Sequence, residues 1–203
     1  GKDAIVTIVN LLRFLYRGRT SEMKDIQILK QELENGKYTD TFCSLCTSEE
    51  ETLYQRNKYI QAIDRFCQNF GTKSVEIYST PGRSEVCGNH TDHQHGMVLA
   101  AAVNMDAVAV AAPREDTQVR LYSEGFGMVE LDLGNLEKQE REEGTTMSLI
   151  RGVAAGMKKK GYQVGGFEAC VVSDVLSGSG LSSSAAFEGL IGTILSGLYN
   201  EQC

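Results

Sequence analysis

The sequence predicts a single α+β domain, and three observations lead to this class. Residues 20–36 and 48–71 place apolar side chains at helical spacing, and each stretch ends at a glycine. After Gly71 the apolar residues alternate with polar ones, which is the period of a β-strand. The 203 residues contain no internal repeat, no low-complexity segment and no linker, so helices and strands are expected to share one unit.

The two N-terminal helices are predicted from their end signals. The first covers residues 20–36, with Ser21 as a candidate cap and Gly36 as its end. The second begins after Ser48, where three glutamates complement the positive end of the helix dipole, and it ends at Gly71. Its apolar face is predicted to consist of Leu53, Tyr54, Ile60, Ile63, Phe66, Cys67 and Phe70.

The remaining elements follow Gly71. Val75, Ile77 and Ser79 alternate with polar neighbours and then meet Pro81–Gly82, which predicts a strand that runs into a turn and a loop. Further elements are one or two buried strands at 98–112, a hairpin at 118–133, a helix at 146–160 and a strand at 167–175.

Composition and charge limit the classes of partner. A net charge of −7 argues against binding to a nucleic-acid backbone, and no apolar run approaches the ~20 residues of a membrane span. The six cysteines are irregularly spaced and form no disulfide framework, so a reducing cytoplasm is predicted. The charged run 137–143, EKQEREE, is predicted to be solvated.

The segment 81–96, PGRSEVCGNHTDHQHG, contains all three histidines of the chain within six residues. Imidazole and carboxylate groups are common metal ligands, so a metal site is one interpretation. Its candidate ligands are His90, Asp92, His93 and His95, with Cys43 and Cys46 as a C-x-x-C half-motif. Structural zinc normally has four clear ligands, which makes this the minor alternative.

The segment 177–200, SGSGLSSSAAFEGLIGTILSGLYN, follows a predicted strand and predicts an anion site. Gly178 and Gly180 allow close approach of the backbone, and the first amides of the following helix point outward. The serine hydroxyls can donate to phosphate or bind Mg²⁺. The loop lacks a P-loop lysine, and Ser183 stands where a Rossmann turn has glycine. Helix capping, the simpler explanation, accounts for one serine only.

Together, GRSEVCGNHTDHQHG and GSGLSSSAAFE resemble the GHMP sugar and metabolite kinases, and within them the galactokinase family. The first is similar to the signature Gly-Arg-x-Asn-x-x-Gly-Glu-His-x-Asp-Tyr, and the second to the phosphate loop GxGLSSSA. The resemblance implies a GHMP-kinase-like N-terminal domain over residues 23–203, with a mixed β-sheet backed by helices. Residues 1–22 lie outside it, as an unassigned N-terminal helical extension.

The resemblance also implies an activity, namely transfer of the γ-phosphoryl group of ATP to the anomeric hydroxyl of galactose. Arg83 would stabilise the transition state, and Ser184 would face Mg²⁺. The implied sugar contacts are Asn89, His90 and Asp92. The implied ATP-binding residues are Gly178, Ser179, Gly180, Leu181, Ser182, Ser183, Ser184 and Ala185.

Three positions depart from the family signature, and they leave the substrate open. Glu85 stands for Asn, Asn89 for Glu and His93 for Tyr. The alternatives are a kinase of N-acetylgalactosamine, arabinose or galacturonate, a non-catalytic sugar and ATP sensor, and the metalloprotein above. In the family the catalytic Asp and a further Gly-rich motif lie downstream of the phosphate loop. The chain is therefore expected to represent the N-terminal half of such a kinase and to have little activity alone.

Overall fold

A six-stranded mixed sheet lies between two layers of helices in a computed structural model of the chain. The structure describes residues 23–87, 99–175 and 183–200, with the backbone alone at 85–87. The predicted α+β class, with a mixed sheet backed by helices, is confirmed. The proposed extension, residues 1–22, lies outside the described residues.

The sheet has the strand order β1-β2-β3-β6-β4-β5. Neighbouring strands are antiparallel except β4 and β6, which are parallel. The strands are β1 (Lys24–Asp25), β2 (Ser74–Cys87), β3 (Leu99–Pro113), β4 (Gln118–Ser123), β5 (Gly127–Asp132) and β6 (Phe167–Ser173). Residues 107–112 of β3 and most of β6 are buried on both faces, which explains the nearly continuous apolar sequence there, whereas most of residues 99–106 of β3 are exposed.

In the part of the chain that the structure describes, five α-helices cover the two faces of the sheet. They are α1 (Ile26–Glu34), α2 (Thr39–Leu45), α3 (Glu49–Phe70), α4 (Thr146–Lys159) and α5 (Ser183–Tyr199), and a 3-10 turn covers Glu140–Glu142. Helices α1 to α3 pack on one face, where Ile63 and Phe66 meet Val108 and Cys170. On the other face α4 and α5 bury Ile150 and Leu190. No described helix is long and apolar enough to cross a bilayer.

The end signals predicted α3 better than α1. The Ser48 hydroxyl accepts a hydrogen bond from the amide of Glu51, and Gly71 ends α3 with a positive φ of 78°. Helix α1 begins later than predicted, because Asp25 is its cap and accepts from the amides of Gln27 and Ile28. Helix α2 was not predicted, and no side chain caps its first turn.

The turn predicted at Pro81–Gly82 is wrong, because β2 continues through it to Cys87. Strand β1 pairs with β2 only at Ser74 and Val75, so β2 is an edge strand at Pro81. A proline whose nitrogen faces the open side of an edge strand removes no ladder hydrogen bond. The pairing of β2 with β3 shifts its register just after Pro81, between Pro81 and Arg83.

Two predictions of side-chain exposure are also wrong. Leu53 and Tyr54, expected on the apolar face of α3, are 49% and 55% exposed. Glu142, expected to be solvated within the charged run, is only 3% exposed because it pairs with Arg151.

Candidate functional site

The two segments predicted to bind sugar and phosphate begin at the same end of the sheet. Strands β2 and β6 are both antiparallel to β3, so they run in the same direction. Strand β2 leads into residues 88–98, and β6 leads through Asp174 and Val175 into residues 176–182. The topology therefore directs both motifs to one edge, although residues 88–98 and 176–182 are not themselves described.

Gly82 brings β2 against the end of β6. A Cβ atom at Gly82 would lie 3.1 Å from Val103 Cγ2 and 3.2 Å from Val175 Cγ2. The register shift between Pro81 and Arg83 accompanies this approach. The absence of a side chain at Gly82, the residue before Arg83, thus lets β2 approach Val175 closely. Val175 lies two residues before the predicted phosphate segment, 177–200.

Helix α5 runs antiparallel to β2, so its first turn points toward the Arg83 end of the strand. Gly197, near the end of α5, faces the Tyr78 side chain, and Gly189, nearer its start, faces Thr80. Ser183 is half-buried, whereas Ser184 and Ala185 are exposed. The hydroxyl of the buried Thr80 has no hydrogen-bond partner among the described residues. This arrangement leaves the first turn of α5 open at the shared edge.

The structure describes only some of the predicted site residues. Arg83 is half-buried on β2, in register with Ala102 of β3. Asn89, His90 and Asp92 lie outside the described residues, as do Gly178, Ser179, Gly180, Leu181 and Ser182. Strand β2 and helix α5 thus run toward the same end of the sheet, while the roles and contacts of Arg83 and of the other site residues stay predictions.

The histidines of the alternative metal site, His90, His93 and His95, also lie outside the described part of the chain. Cys43 is exposed on α2, and Cys46 is half-buried at the end of that helix. Within residues 23–87, 99–175 and 183–200, no group of three His, Cys, Asp or Glu residues is arranged to hold a metal ion.

A buried lysine connects the elements that carry this edge. Lys58 lies on the buried stripe of α3 together with Ala62 and Phe66, at i, i+4 and i+8, and is only 4% exposed. Its Nζ donates to Asp106 Oδ1 on β3 and, at 2.5 Å, to Asp174 Oδ2 just after β6. One ammonium group therefore joins α3, β3 and the end of β6.

Lys58, Asp106 and Asp174 form a charged cluster, and each of its two carboxylates has a second donor. Ser79 Oγ on β2 donates to Asp106 Oδ2 at 2.5 Å, and Tyr54 Oη donates to Asp174 Oδ1 at 2.6 Å. The hydrogen bond to Asp174 raises the pKa of Tyr54 to about 12. Tyr59, on the same helix, has a raised pKa mainly because it is buried. The cluster is thus well supplied with donors and spans four elements.

The sequence reasoning missed this cluster, although one signal pointed to it. Asp106 interrupts a strand that is otherwise rich in alanine and valine. A charge at a buried strand position needs a partner, because transfer of an unpaired carboxylate from water is very costly. Lys58 lies on the same helical stripe as Ala62 and Phe66, so it was available as that partner.

Comparison with known proteins shows which family the chain resembles. The family model described as the galactokinase galactose-binding signature matches residues 64–113, which include the end of α3 from residue 64 onward and all of β2 and β3. The chain resembles the galactokinases. It is 38% identical over 142 residues to the galactokinase of Lactococcus lactis subsp. lactis, a match covering 68% of this chain and 35% of that relative. For the galactokinase of Enterococcus faecalis the values are 32% over 145 residues, 70% and 37%.

Solved structures give the same result for the fold of this galactokinase-like chain. The crystal structure of Lactococcus lactis galactokinase complexed with galactose matches with a TM-score of 0.62 and 37% identity, covering 69% of this chain and 37% of that one. Methanococcus jannaschii mevalonate kinase matches with a TM-score of 0.53 at 16% identity, covering 64% and 42%, which shows the fold alone. The predicted resemblance to galactokinase and the GHMP-kinase fold is confirmed. The chain spans about a third of the length of the curated relatives it matches.

Proposed function

We propose that this chain provides the sugar-binding and phosphate-binding part of a galactokinase, which transfers the γ-phosphoryl group of ATP to the anomeric hydroxyl of galactose. The observation that carries the proposal is the close approach of Gly82, the residue before Arg83, to Val175, which lies three residues before the GSGLSSSA segment. Similarity to galactokinases over about two thirds of the chain supports the same reaction.

Each part of the edge has a role in this reaction. Phosphoryl transfer depends mainly on positioning and on stabilising charge in the transition state. The Arg83 guanidinium offers several fixed donors to phosphoryl oxygens. The amides in the first turn of α5, with the hydroxyls of Ser183 and Ser184, would receive the ATP phosphates together with residues 178–182 and Ala185. The sugar would contact Asn89, His90 and Asp92.

Magnesium fits this edge as a partner of the nucleotide. Mg²⁺ usually takes only one or two protein ligands and fills its shell with phosphate oxygens and water. Ser184 has an exposed hydroxyl in the first turn of α5, so it is the residue proposed to reach the ion. The ion would neutralise charge on the phosphates during transfer.

Binding is the direct test for these 203 residues, because the curated relatives are nearly three times the length of the matched segment. Isothermal titration calorimetry would measure the affinities for galactose and for MgATP separately. We expect the chain to bind both ligands, and Arg83→Ala to weaken MgATP binding at least tenfold. Arg141→Ala, which changes an exposed arginine on the 3-10 turn, serves as the matched control. The proposal fails if neither ligand binds, or if both variants lose the same affinity.

The identity of the sugar needs its own experiment. Asn89 offers a donor and an acceptor but no charge where the family signature has glutamate. A titration series with galactose, N-acetylgalactosamine, arabinose and galacturonate would rank the sugars, and we expect galactose to bind most tightly. Sugar and ATP binding without formation of sugar phosphate in the protein that carries this chain would favour the sensor alternative.

The proposal includes a cytoplasmic location. Cys43, Cys46, Cys67 and Cys170 are free thiols, as is usual for proteins of a reducing compartment. The proposed partners are a small sugar and ATP, and the proposal includes neither a nucleic acid nor a membrane.

A further inference from the structure

We propose that Lys58 is a positioning residue that holds the end of β6, and thereby the start of the phosphate segment, against the strand that carries Arg83. The inference rests on the proposed function for its catalytic meaning, but its structural part can be tested without a ligand. Lys58 touches neither the predicted sugar residues nor the predicted phosphate residues among those described, and it acts through Asp106 and Asp174.

The contacts of Lys58 connect every element that leads into the site. Asp106 lies in register with Pro81, two residues before Arg83, and it also accepts from Ser79 on the same strand. Asp174 precedes Val175, which contacts Gly82. The amide of Asp174 also donates to the carbonyl of Asp106 at 3.1 Å. A shift of either carboxylate would therefore change the spacing between β2 and the end of β6.

The positions of Asp106 and Asp174 depend on Lys58, because its positive charge balances both carboxylates. Two carboxylates share one ammonium group, and the Lys58 side chain is 3% exposed, while those of Asp106 and Asp174 are 13% and 17% exposed. Without the lysine, two like charges would face each other with little access to water, and they would move apart or bind another cation. The hydroxyls of Ser79 and Tyr54 each bind one carboxylate separately, so without Lys58 the backbone hydrogen bond from Asp174 to Asp106 remains as the direct link between the two residues.

The position of the cluster indicates a role in the site rather than in holding the sheet together. Ala169, Cys170, Val171 and Val172 already bury the body of β6 on both faces of the sheet. The Lys58 contact lies past the last residue of that strand. Loss of Lys58 should lower the stability of the domain, because it leaves two carboxylates without their shared partner. We expect the largest change in the backbone at residues 174–175 and 183–186.

The experiment compares Lys58→Met with Lys58→Arg, and uses Lys30→Met as the control. Lys30 also forms a side-chain ion pair on the α1–α3 face, with Asp64 at 2.6 Å, but it is remote in sequence and fold from β6. Amide hydrogen exchange followed by NMR would report on residues 174–175 and 183–186, with β4 and β5 as internal references. Calorimetry would report the affinities for MgATP and galactose.

For Lys58→Met we expect exchange at residues 174–175 to rise at least tenfold relative to β4 and β5. We also expect the affinity for MgATP to fall at least ten times more than that for galactose. Lys58→Arg should restore most of both properties, because it keeps the charge, and Lys30→Met should change neither. Equal exchange and equal MgATP affinity in wild type and Lys58→Met would overturn the proposal, as would a uniform rise in exchange across the sheet.

Two further outcomes are also decisive. If the wild-type chain binds neither ligand, the proposed function fails, and the exchange data alone decide the role of Lys58. If Lys58→Met does not fold, Asp174→Asn replaces it, because it removes the charge of the carboxylate that Lys58 binds after β6 and keeps the size of the side chain. Faster exchange confined to residues 174–175 in Asp174→Asn would support the proposal, and unchanged exchange there would count against it.

Discussion

Arg151 and Glu142 form a buried, bidentate ion pair on the α4 face of the domain. Arg151 Nε donates to Glu142 Oε2 at 2.7 Å and Nη2 donates to Oε1 at 2.8 Å. Arg151 Nη1 also donates to the backbone carbonyls of Asp132, at 2.9 Å, and Asn135. The guanidinium group of Arg151, on α4, thus binds the end of β5 and the segment between β5 and α4 through hydrogen bonds. It also lowers the pKa of Glu142.

Arg151→Met should therefore be strongly destabilising. The substitution leaves Glu142 buried without its partner, and breaking a buried pair in this way costs about 3–5 kcal/mol. Urea unfolding at neutral pH would measure the change in the free energy of unfolding. Lys138→Met is the control, because the Lys138–Glu143 pair is 78% and 60% exposed and should contribute at most about 1 kcal/mol. Similar losses in the two variants would contradict this account of the buried pair.

Gly166 should tolerate no side chain. A Cβ atom there would lie 2.5 Å from the backbone carbonyl oxygens of Asp116 and Gln118, which side-chain rotation cannot relieve. Gly166→Ala should lower the free energy of unfolding by at least about 2 kcal/mol. Gly156→Ala, on the exposed side of α4 with no atom within 4 Å, should instead raise it by about 0.5–1 kcal/mol. Thermal unfolding of both variants tests the contrast, which fails if they shift in the same direction.

Glu32 should contribute to the acid dependence of stability. Hydrogen bonds from Lys24, Lys37 and Tyr38 lower the pKa of Glu32 from 4.5 to about 2. Because the folded state holds the charged form, this contribution is complete above pH 4.5 and is lost as the pH falls toward 2. The stability difference between wild type and Glu32→Gln should therefore shrink across that window. A difference that stays constant from pH 5 to pH 2, in chemical unfolding, would contradict the lowered pKa.

The described cysteines should differ in reactivity. Burial raises the pKa of the Cys170 thiol to about 12, whereas Cys43 is exposed on α2. Iodoacetamide at pH 8 should modify Cys43 in the folded protein and Cys170 only after unfolding. Peptide mass spectrometry before and after addition of urea would measure both sites. Rapid modification of Cys170 without denaturant would show that β6 opens locally.

Local signals predicted α3 well, because Ser48, the glutamates after it and Gly71 all act within a few residues of the helix ends. They failed at Pro81–Gly82, because whether a proline breaks a strand depends on which strands flank it. They failed again at Lys58, whose partners are 48 and 116 residues away along the chain. The predicted α+β class required only the types of element, whereas the shared edge of the two motifs and the pairing of buried charges required the three-dimensional arrangement.

The place of β6 in the sheet determines when the domain can be assembled. Strand β6 lies between β3 and β4, yet it comes last of the six along the chain. Until residues 167–173 have been synthesised, β2–β3 and β4–β5 can form only two separate hairpins, each with an unpaired edge. During synthesis, the unpaired edges of β3 and β4 therefore stay exposed until β6 has left the ribosome. This strand order should therefore slow folding and leave the exposed edges open to aggregation until β6 is available.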